Sequence, residues 1–509
     1  MLPAIDFLYS EAGQKIDVSE MFSFEMIPPV VLPLEEQSWE SDIAAPPHMQ
    51  EQLGRLRATH IYTPKPKQIL FLPEHADTPA LILAGLGEKP DAAAWRQAGA
   101  CAGAELLQKK YTCVQLDMPI ISAVSSILCT TQQLEWLVEG FLRSLYRFDK
   151  YQSAQDNKLP QRITIVISGV DAQELDTLKR RMERSLIITQ GETLARDLVN
   201  EPSNVKIPEF LARTAWEQGA DAGVKTTIYG QKALEQLGFG AMLAVAQGSV
   251  CEPRLIVMEY QGAAAKTAPI ALVGKAVTFD SGGISLKPSA GMEQMKMDMA
   301  GGAAVMAALV TAARLQLPVN IVAVIPAVEN MPSGRAQRPG DVVRSLSGKT
   351  IEVVNTDAEG RLILADALTW VGRKNPRALI DMATLTGACI IALGHHTAAV
   401  LGTDTALVQN LIAAGEQCGE PLWQLPLRAE YAKQIESQVA DVKNSGGRPA
   451  GTITAAAFLQ HFAPDCPWAH VDIAGTAWAE KSQPGQPEGG TGFGVRLLLE
   501  YLHQLECGA

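Results

Sequence analysis

The sequence predicts an α/β protein of two domains. A smaller N-terminal α/β domain is joined by a long helix to a C-terminal α/β domain with a mixed, largely parallel central sheet. Short apolar runs alternate with helix-favouring segments, which is typical of parallel sheets covered by helices. The chain has 509 residues, too many for one hydrophobic core. A polar stretch that lacks Pro and Gly over 171–190 separates the two alternating regions.

The N-terminal domain is expected over residues 1–178. Its apolar runs predict strands at 68–73, 81–84, 112–116 and 163–168, and helices are predicted at 92–109 and 134–146. Strand and helix alternate here, which favours a largely parallel sheet. No motif in this part of the chain carries recognisable chemistry.

The linking helix is expected over 179–199. It is predicted to end at the segment N-E-P-S-N, because the residue before a proline disfavours the helical conformation. Residues 200–509 then form the second domain. Strands are predicted at 226–229, 255–260, 270–273, 320–325, 351–354 and 379–383, and helices at 209–218, 231–237, 303–315, 361–371 and 453–462.

Composition excludes several classes of protein. The net charge of -12 argues against a surface for nucleic acid or anionic membranes. The first residues lack the basic start and apolar core of a signal peptide, and no run of about 18 apolar residues occurs, so no membrane span is expected. The eight cysteines are scattered without a C-x-x-C pair. This pattern favours reduced thiols in a cytoplasmic protein.

Three glycine-containing segments of the second domain carry the candidate site. They read V-G-K-A-V-T-F-D-S-G-G-I-S-L-K-P-S (273–289), M-K-M-D-M-A-G-G (295–302) and N-T-D-A-E-G-R-L (355–362). Their charged residues are Lys275, Asp280, Lys287, Asp298, Asp357, Glu359 and Arg361. In open α/β sheets, ligands bind at the carboxyl ends of the strands, where such loops lie. Any one of these residues alone would suggest a surface salt bridge, but seven in three loops indicate a site.

The carboxylates of these segments indicate metal ions. Asp357 and Glu359 are two residues apart, so at a strand end their side chains point the same way and repel each other unless a cation intervenes. With Asp280 and Asp298, the negative charge is too large for a shared proton. Two divalent ions about 3.5–4 Å apart would balance it.

The identity of the metal is constrained by the available ligands. No histidine lies between His75 and His395, so the site is rich in oxygen, with at most one nitrogen ligand. Such a site suits Zn²⁺, Mn²⁺ or Mg²⁺. Lys275 is a candidate ligand in its neutral form, because a neighbouring dication can displace its proton.

The three segments resemble the leucine (cytosol) aminopeptidase family of two-metal exopeptidases. The segments N-E-P-S-N (200–204), I-D-M-A-T-L-T-G-A (380–388) and W-A-H-V-D-I-A-G (468–475) fit the same family. The resemblance covers about residues 195–500, and the segment N-T-D-A-E-G-R-L is the most specific part of it. The first 178 residues match the family only in general character.

This resemblance implies a role for each residue. Asp280 and Glu359 would bridge two ions, Lys275 and Asp298 would complete one metal site, and Asp357 the other. Lys287 and Arg361 would be the catalytic pair that does not bind metal. In the family mechanism a metal-bridging water attacks the scissile carbonyl, and a bicarbonate at the arginine relays its proton. The residues implied to line the pocket for the first side chain are Met295, Thr384, Gly387 and Ala474.

The expected function is therefore a metal-dependent aminopeptidase that prefers leucine-like N-terminal residues of cytoplasmic peptides. Binding of a neutral α-amine by the metal would restrict it to free N-termini. The resemblance also implies a homohexamer. Two alternatives remain: a two-metal phosphoesterase that uses the same carboxylates, and a non-enzymatic regulatory protein that binds DNA. The acidic net charge gives the second no support.

Overall fold

The computed structural model describes residues 2–11, 28–39, 47–74, 79–124, 129–153 and 159–507. The chain divides into two compact units. The first comprises Met1–Gln190 and Lys481–Pro487, and the second comprises Gly191–Glu480 and Glu488–Ala509. Both units are α/β, which confirms the predicted fold class. The break between Gln190 and Gly191 falls inside the long helix, Leu175–Asn200, that was expected to join the domains.

The first unit is built on a six-stranded sheet. Its strands are β1 (Ala4–Glu11), β2 (Val30–Glu35), β3 (Ile69–Leu72), β4 (Leu81–Gly87), β5 (Cys113–Asp117) and β6 (Arg162–Val170). Its helices are α1 (Glu36–Trp39), α2 (Pro47–Thr59), α3 (Ala92–Gln108), α4 (Met118–Val124) and α5 (Thr130–Ser144). The strand order is β1-β6-β5-β2-β4-β3, and every pair is parallel except β3 with β4.

Helices α3 and α5 pack closely because glycines line their contact. A β-carbon at Gly99 would overlap the main-chain carbonyl of Leu137, and one at Gly140 would overlap the carbonyl of Arg96. Only residues without a side chain allow two helix backbones to approach this far. The alanine- and glycine-rich composition of α3 is therefore a packing feature of this unit.

The long helix α6 (Leu175–Asn200) leads into the second unit. The strands of that unit are β7 (Lys225–Tyr229), β8 (Arg254–Gln261), β9 (Ile270–Gly274), β10 (Ala276–Asp280), β11 (Asn320–Asn330), β12 (Val342–Arg344), β13 (Thr350–Glu352), β14 (Ala378–Ala383), β15 (Ala398–Gly402), β16 (Leu422–Gln424), β17 (Val442–Lys443), β18 (Trp468–Asp472), β19 (Trp478–Ala479) and β20 (Gly489–Gly490). Its helices are α7 (Pro208–Asp221), α8 (Gln231–Leu237), α9 (Gly240–Ala246), α10 (Ala300–Arg314), α11 (Gly360–Gly372), α12 (Gly387–Leu393), α13 (Thr405–Cys418), α14 (Ala429–Ala432), α15 (Gly451–Gln460) and α16 (Val495–Cys507). Two 3-10 helices span Met292–Met297 and Lys433–Ile435.

The main sheet of the second unit has the order β16-β15-β18-β14-β9-β11-β8-β7, and β10 pairs with the far end of β11. Its centre, β18-β14-β9-β11, is parallel, while β8, β7 and the β15–β18 pair add antiparallel contacts. The predicted mixed, largely parallel sheet is confirmed.

Helices α10 and α11 cover opposite faces of this sheet. Gly274 of β9 faces Gly301 of α10, whereas its neighbour Val273 packs in the same core cluster as Leu364 of α11. Successive strand residues point to opposite faces, which places the two helices on opposite sides. Both helices begin beside the carboxyl ends of β9 and β10, where the candidate site is expected.

The predicted strand at 351–354 is wrong in extent and in place. Strand β13 ends at Glu352 and belongs to a separate three-stranded sheet, β12-β13-β17. The strand stops because the N–H groups of Val354 and Asn355 donate to the side-chain oxygen of Asn444, at 2.9 and 3.3 Å, instead of to a neighbouring strand. Asp357 and Glu359 therefore extend from a turn and a helix start, not from the end of a central strand.

One helical stretch in the described part of the chain, Met292–Arg314, is long and apolar enough to cross a bilayer by length and composition alone. It combines the 3-10 helix Met292–Met297 with α10, and 83% of its most apolar window is buried inside the protein. Its apolar character is explained by its packing between the sheet and α16.

Candidate metal centre

The candidate site lies where two strands end and two helices begin. Lys275 follows β9, and Asp280 is the last residue of β10. Asp298 lies two positions before α10, and Glu359 is the N-cap of α11. The free N–H groups and the dipole at a helix N-terminus favour negative charge, which helps to hold these last two carboxylates in place.

The amine of Lys275 lies at the centre of one half of the site. Its Nζ contacts Asp298 Oδ1 at 2.8 Å and Glu359 Oε1 at 2.9 Å, and it donates to the carbonyl of Thr384 at 2.9 Å. Its side chain is only 3% exposed. It reaches this position past Gly360, where a β-carbon would lie 2.6 Å from Lys275 Cε. The glycine of N-T-D-A-E-G-R-L thus leaves room for the lysine.

The amine of Lys287 occupies the other half. Its Nζ contacts Asp280 Oδ2 at 2.8 Å and Asp357 Oδ1 at 2.5 Å. Gly282, with φ of +86°, turns the loop between Asp280 and Lys287, and a β-carbon there would lie 2.7 Å from Asp357 Oδ1. Each lysine therefore bridges two carboxylates, and the structure brings all six side chains into one cluster.

The cluster has the donors that divalent metal ions require. Ligand oxygens of Asp280, Asp357 and Glu359 lie within 4.8 Å of one another. Asp298 Oδ2 and Glu359 Oε2 are buried and have no hydrogen-bond partner among the described residues. Buried carboxylate oxygens are normally paired, and a metal ion would supply the missing partner. These residues fit two divalent ions with oxygen ligands and one amine.

The electrostatics of the cluster reflect an excess of buried acid. Burial raises the pKa of Asp280 to about 6, and the nearby charge of Glu359 adds to this effect. Burial also raises the pKa of Asp298 and of Asp357 above the usual range. Burial acts in the same direction on Glu359, but Lys275 and Lys287 outweigh it and lower the pKa of that carboxyl.

The two lysines respond in the opposite sense. Burial alone would lower their pKa values, but the surrounding carboxylates outweigh it and raise the pKa of both amines. Without metal, both lysines are therefore charged. Two ammonium groups cannot neutralise four carboxylates, so further cations are favoured here.

Arg361 is held beside this cluster by one end of its guanidinium group. Its Nη1 donates to the carbonyl of Asn444 at 2.8 Å, while its Nε is buried and has no partner among the described residues. Burial lowers the pKa of Arg361 to about 10, so the group stays charged at neutral pH. A buried charged donor without an acceptor is suited to binding an anion.

The residues expected to line the first-residue pocket lie at four places: after β14, after β18, on the 3-10 helix Met292–Met297 and at the start of α12. Thr384, which follows β14, donates from Oγ1 to Asp298 Oδ1 at 2.8 Å, so it adjoins the cluster directly. Ala474 lies after β18 and is 9% exposed. Met295 is half-buried on the 3-10 helix that leads to Asp298, and Gly387 is the exposed first residue of α12.

Sequence reasoning missed three residues that organise the site. Asn330 donates to Asp280 Oδ1 at 2.8 Å and to the carbonyl of Thr356 at 3.1 Å. Asp472 accepts from the N–H groups of Leu385 and Ala474, both at 3.1 Å. Asn330 is the last residue of β11, and Asp472 is the last residue of β18. A polar residue at the end of an apolar strand was therefore the sequence feature that could have identified both.

The third missed residue is Asn444. Its side chain accepts from Val354 and Asn355 and donates to the carbonyls of Asn355 and Ala358, at 2.7 and 3.3 Å. It thus fixes the turn that carries Asp357, in addition to holding Arg361. The sequence feature that could have identified Asn444 was its place in the glycine-rich segment K-N-S-G-G-R-P-A-G.

Comparisons with known proteins identify one family over both units of the chain. Residues 193–499 match the model of the cytosol aminopeptidase family, catalytic domain, and residues 31–155 match that of the N-terminal domain. A probable cytosol aminopeptidase of Syntrophotalea carbinolica is 54% identical over 457 residues, which is 89% of this chain and 91% of the relative. One of Acidithiobacillus ferrooxidans is 50% identical over 391 residues, 76% of each chain.

Among solved structures, the chain is similar to the bottromycin maturation enzyme BotP in complex with Mn. The two share 35% sequence identity with a TM-score of 0.83, and the match covers 94% of this chain and 99% of that one.

Proposed function

The chain belongs to the cytosol aminopeptidase family, and we propose that it uses two divalent ions at the acidic cluster to release leucine-like N-terminal residues from peptides. Membership makes it a metal-dependent aminopeptidase, which is a peptidase hydrolase. The two-metal proposal is carried by one observation: a buried cluster with more carboxylates than lysines, in which Asp298 Oδ2 and Glu359 Oε2 have no hydrogen-bond partner in the part of the chain that the structure describes.

The proposed metal ligands are Lys275, Asp280, Asp298, Asp357 and Glu359. Mn²⁺ and Zn²⁺ both suit them, and the similarity to a structure in complex with Mn supports the first. A pair of such ions lowers the pKa of a bound water and polarises a carbonyl. Lys275 can serve as a ligand only without its proton, which a dication in place of its present ion-pair partners would favour.

Lys287 and Arg361 are the proposed catalytic residues that do not bind metal. Lys287 is 21% exposed, more than any other ammonium or carboxylate of the cluster except Asp357. Its ammonium can therefore reach a substrate and stabilise the negative charge that develops on the carbonyl oxygen. Arg361 has a buried Nε that no described residue accepts from, and it would hold a bicarbonate.

The pocket for the first side chain is proposed to be lined by Met295, Thr384, Gly387 and Ala474. A methionine and three small residues form an adaptable wall that suits leucine or methionine. We also propose that the enzyme is a cytoplasmic homohexamer acting on peptides with a free N-terminus, without a membrane or nucleic-acid partner. The family relationship supports these assignments.

The direct test is hydrolysis of Leu-p-nitroanilide beside its N-acetylated form, before and after chelation and after addition of Mn²⁺ or Zn²⁺. We expect turnover of the free-amine substrate alone, its loss with chelator and its recovery with metal. Equal turnover of the acetylated substrate would refute recognition of the free amine. Turnover of p-nitrophenyl phosphate in place of the peptide analogue would favour the phosphoesterase alternative.

Metal content gives an independent measurement. Equilibrium dialysis against Mn²⁺, followed by elemental analysis, should give two ions per chain. Saturation at one ion would refute the two-metal arrangement even if the enzyme were active.

A further inference from the structure

A fully buried lysine lies next to the proposed pocket, outside the metal cluster. Lys206 is 0% exposed, and its Nζ donates to the carbonyl of Lys296 at 2.6 Å and to the carbonyl of Val199 at 3.0 Å. A lysine is rarely buried to this degree, because desolvating its amine is costly. Here both hydrogen-bond acceptors are main-chain carbonyls, so the side chain connects two chain segments.

The segment that Lys206 holds is the one that carries Met295. Lys296 belongs to the 3-10 helix Met292–Met297, one residue after Met295 and two before Asp298. The side chain of Lys296 adds a second link, because its Nζ donates to the carbonyl of Asn200 at 3.0 Å. The 3-10 helix is thus tied to the last turn of α6 and, through Lys206, to the turn that follows α6.

This turn is itself fixed to the main sheet. Ser203 Oγ donates to the carbonyl of Thr278, in the middle of β10, at 3.3 Å. One path from the sheet to the 3-10 helix therefore runs through Ser203 and Lys206, beside the direct bond from the Val277 N–H to the carbonyl of Asp298 at 3.2 Å. Ser203 and Lys206 belong to the segment N-E-P-S-N-V-K, which the metal cluster does not use.

The 3-10 helix depends on such links because apolar packing holds it weakly. None of its six residues is buried, and it begins after Gly291, which has φ of +81°. The residues at 288–290 that lead into it are exposed. A segment without buried side chains is expected to move unless polar contacts fix it.

We propose that Lys206 is a positioning residue for the first-residue pocket: by holding the carbonyl of Lys296 it fixes Met295 and so sets the preference for large over small first side chains. The inference rests on the proposed function. The amine keeps two N–H donors even without its proton, which matches its two acceptors, so the contacts persist in either charge state.

The test compares Lys206→Met with a matched control, Asn320→Ala. Asn320 is also buried, and its side chain donates to two main-chain carbonyls, those of Ala264 and Thr267, both at 2.9 Å, at the start of β11. For each purified protein, kcat/KM is measured with Leu- and Ala-p-nitroanilide. One methylene group is worth about 10–200-fold in a hydrophobic pocket, and the Leu and Ala side chains differ by three carbon atoms, so a wild-type preference is measurable. We expect Lys206→Met to lower the Leu:Ala ratio by about fivefold or more, and Asn320→Ala to leave it within about twofold.

A double-mutant cycle shows whether Lys206 acts through Met295. Met295→Ala should lower the Leu:Ala ratio by itself, and adding Lys206→Met should change it little further. Independent, multiplicative effects would overturn the proposal, as would an unchanged ratio in Lys206→Met. Loss of bound metal in Lys206→Met would overturn it too, because the contact would then serve Asp298. If Lys206→Met does not fold, Lys206→Gln replaces it, because the shorter amide side chain cannot reach both carbonyls. The Leu:Ala ratio, the double-mutant cycle and the bound metal of Lys206→Gln are then judged in the same way.

These outcomes are separable from failure of the proposed function. A wild-type protein that does not hydrolyse Leu-p-nitroanilide with any metal refutes the aminopeptidase assignment itself. A wild-type protein that hydrolyses Leu and Ala substrates equally refutes the pocket and this inference together. A wild-type preference that Lys206→Met retains refutes the inference alone.

Discussion

The close approach of Lys275 to Gly360 makes Gly360→Ala a sharp test of the site. Gly360 is the first residue of α11, and a β-carbon there would lie 2.6 Å from Lys275 Cε and 2.7 Å from its Cδ and Nζ. Ordinary contact begins at 3.4 Å, so the lysine would have to retreat by about 0.8 Å, the difference between 3.4 and 2.6 Å. It cannot do so and keep its contacts with Asp298 and Glu359.

The effects on activity and on stability should differ. A displacement of roughly 1 Å in a catalytic site can lower activity by about 10²-fold, and we expect a loss of this order in kcat/KM. Alanine is better than glycine in a helix by up to about 1 kcal/mol, while overpacking costs about 1–3 kcal/mol. The free energy of unfolding should therefore fall by no more than about 3 kcal/mol. The variant should remain folded but bind metal weakly.

The assay measures hydrolysis of Leu-p-nitroanilide, bound metal and thermal unfolding on the same preparation. The matched control is Gly54→Ala, another glycine-to-alanine change in a helix, at a position where no atom lies within 4 Å of the new β-carbon. This control should keep wild-type activity. A Gly360→Ala enzyme with normal metal content and at least a third of the wild-type kcat/KM would refute the reasoning.

Three further predictions test other parts of the molecule. Lys287→Ala should lower kcat by about tenfold or more with bound metal unchanged, whereas Asp280→Ala should lose metal as well; equal metal loss in both would contradict the assigned roles. Gly140→Ala should destabilise the first unit by about 3 kcal/mol, because its β-carbon would overlap the rigid carbonyl of Arg96; unchanged resistance to limited proteolysis would count against this. Burial raises the pKa of Asp366 from 3.8 to about 7, so the folded chain binds this proton more tightly than the unfolded chain. The stability that the protonated Asp366 contributes is complete below about pH 4 and is lost as pH rises through about 7. The Tm of the wild type should therefore fall relative to the Tm of Asp366→Asn over this pH range. A constant difference in Tm would show that the Asp366 carboxyl does not titrate there.

The acidic cluster could be predicted because its charged residues lie in three short segments that glycines interrupt. Asp280 and Asp298 follow or precede regular elements whose apolar periodicity is clear, so the place of each segment at one edge of the sheet followed from the order of elements. The predicted geometry of Asp357 and Glu359 was wrong. It assumed a strand end, whereas the two residues occupy a turn and a helix cap. Both conformations bring nearby side chains together, so the clustering was predicted despite the wrong element.

What could not be predicted are the residues that hold the cluster in place from far along the chain. Asn444 donates to and accepts from residues 83–90 positions away, and Asn330 lies 50 positions from Asp280. An asparagine in a glycine-rich loop is usually a turn residue, and local sequence does not reveal which distant main-chain groups it meets. The short strand β13 ends early for the same reason, because the side chain of Asn444 accepts from the N–H groups of Val354 and Asn355, which follow the strand.

The arrangement of the two lysines gives an independent argument for two cation positions. Lys275 bridges Asp298 and Glu359, and Lys287 bridges Asp280 and Asp357, so the four carboxylates are divided into two pairs with one ammonium each. Because Asp298 Oδ2 and Glu359 Oε2 still lack hydrogen-bond partners among the described residues after both ammonium groups are placed, the lysines neutralise the cluster incompletely. Two divalent ions near the same two centres would complete it, with Lys275 deprotonated as a ligand and Lys287 released toward the substrate.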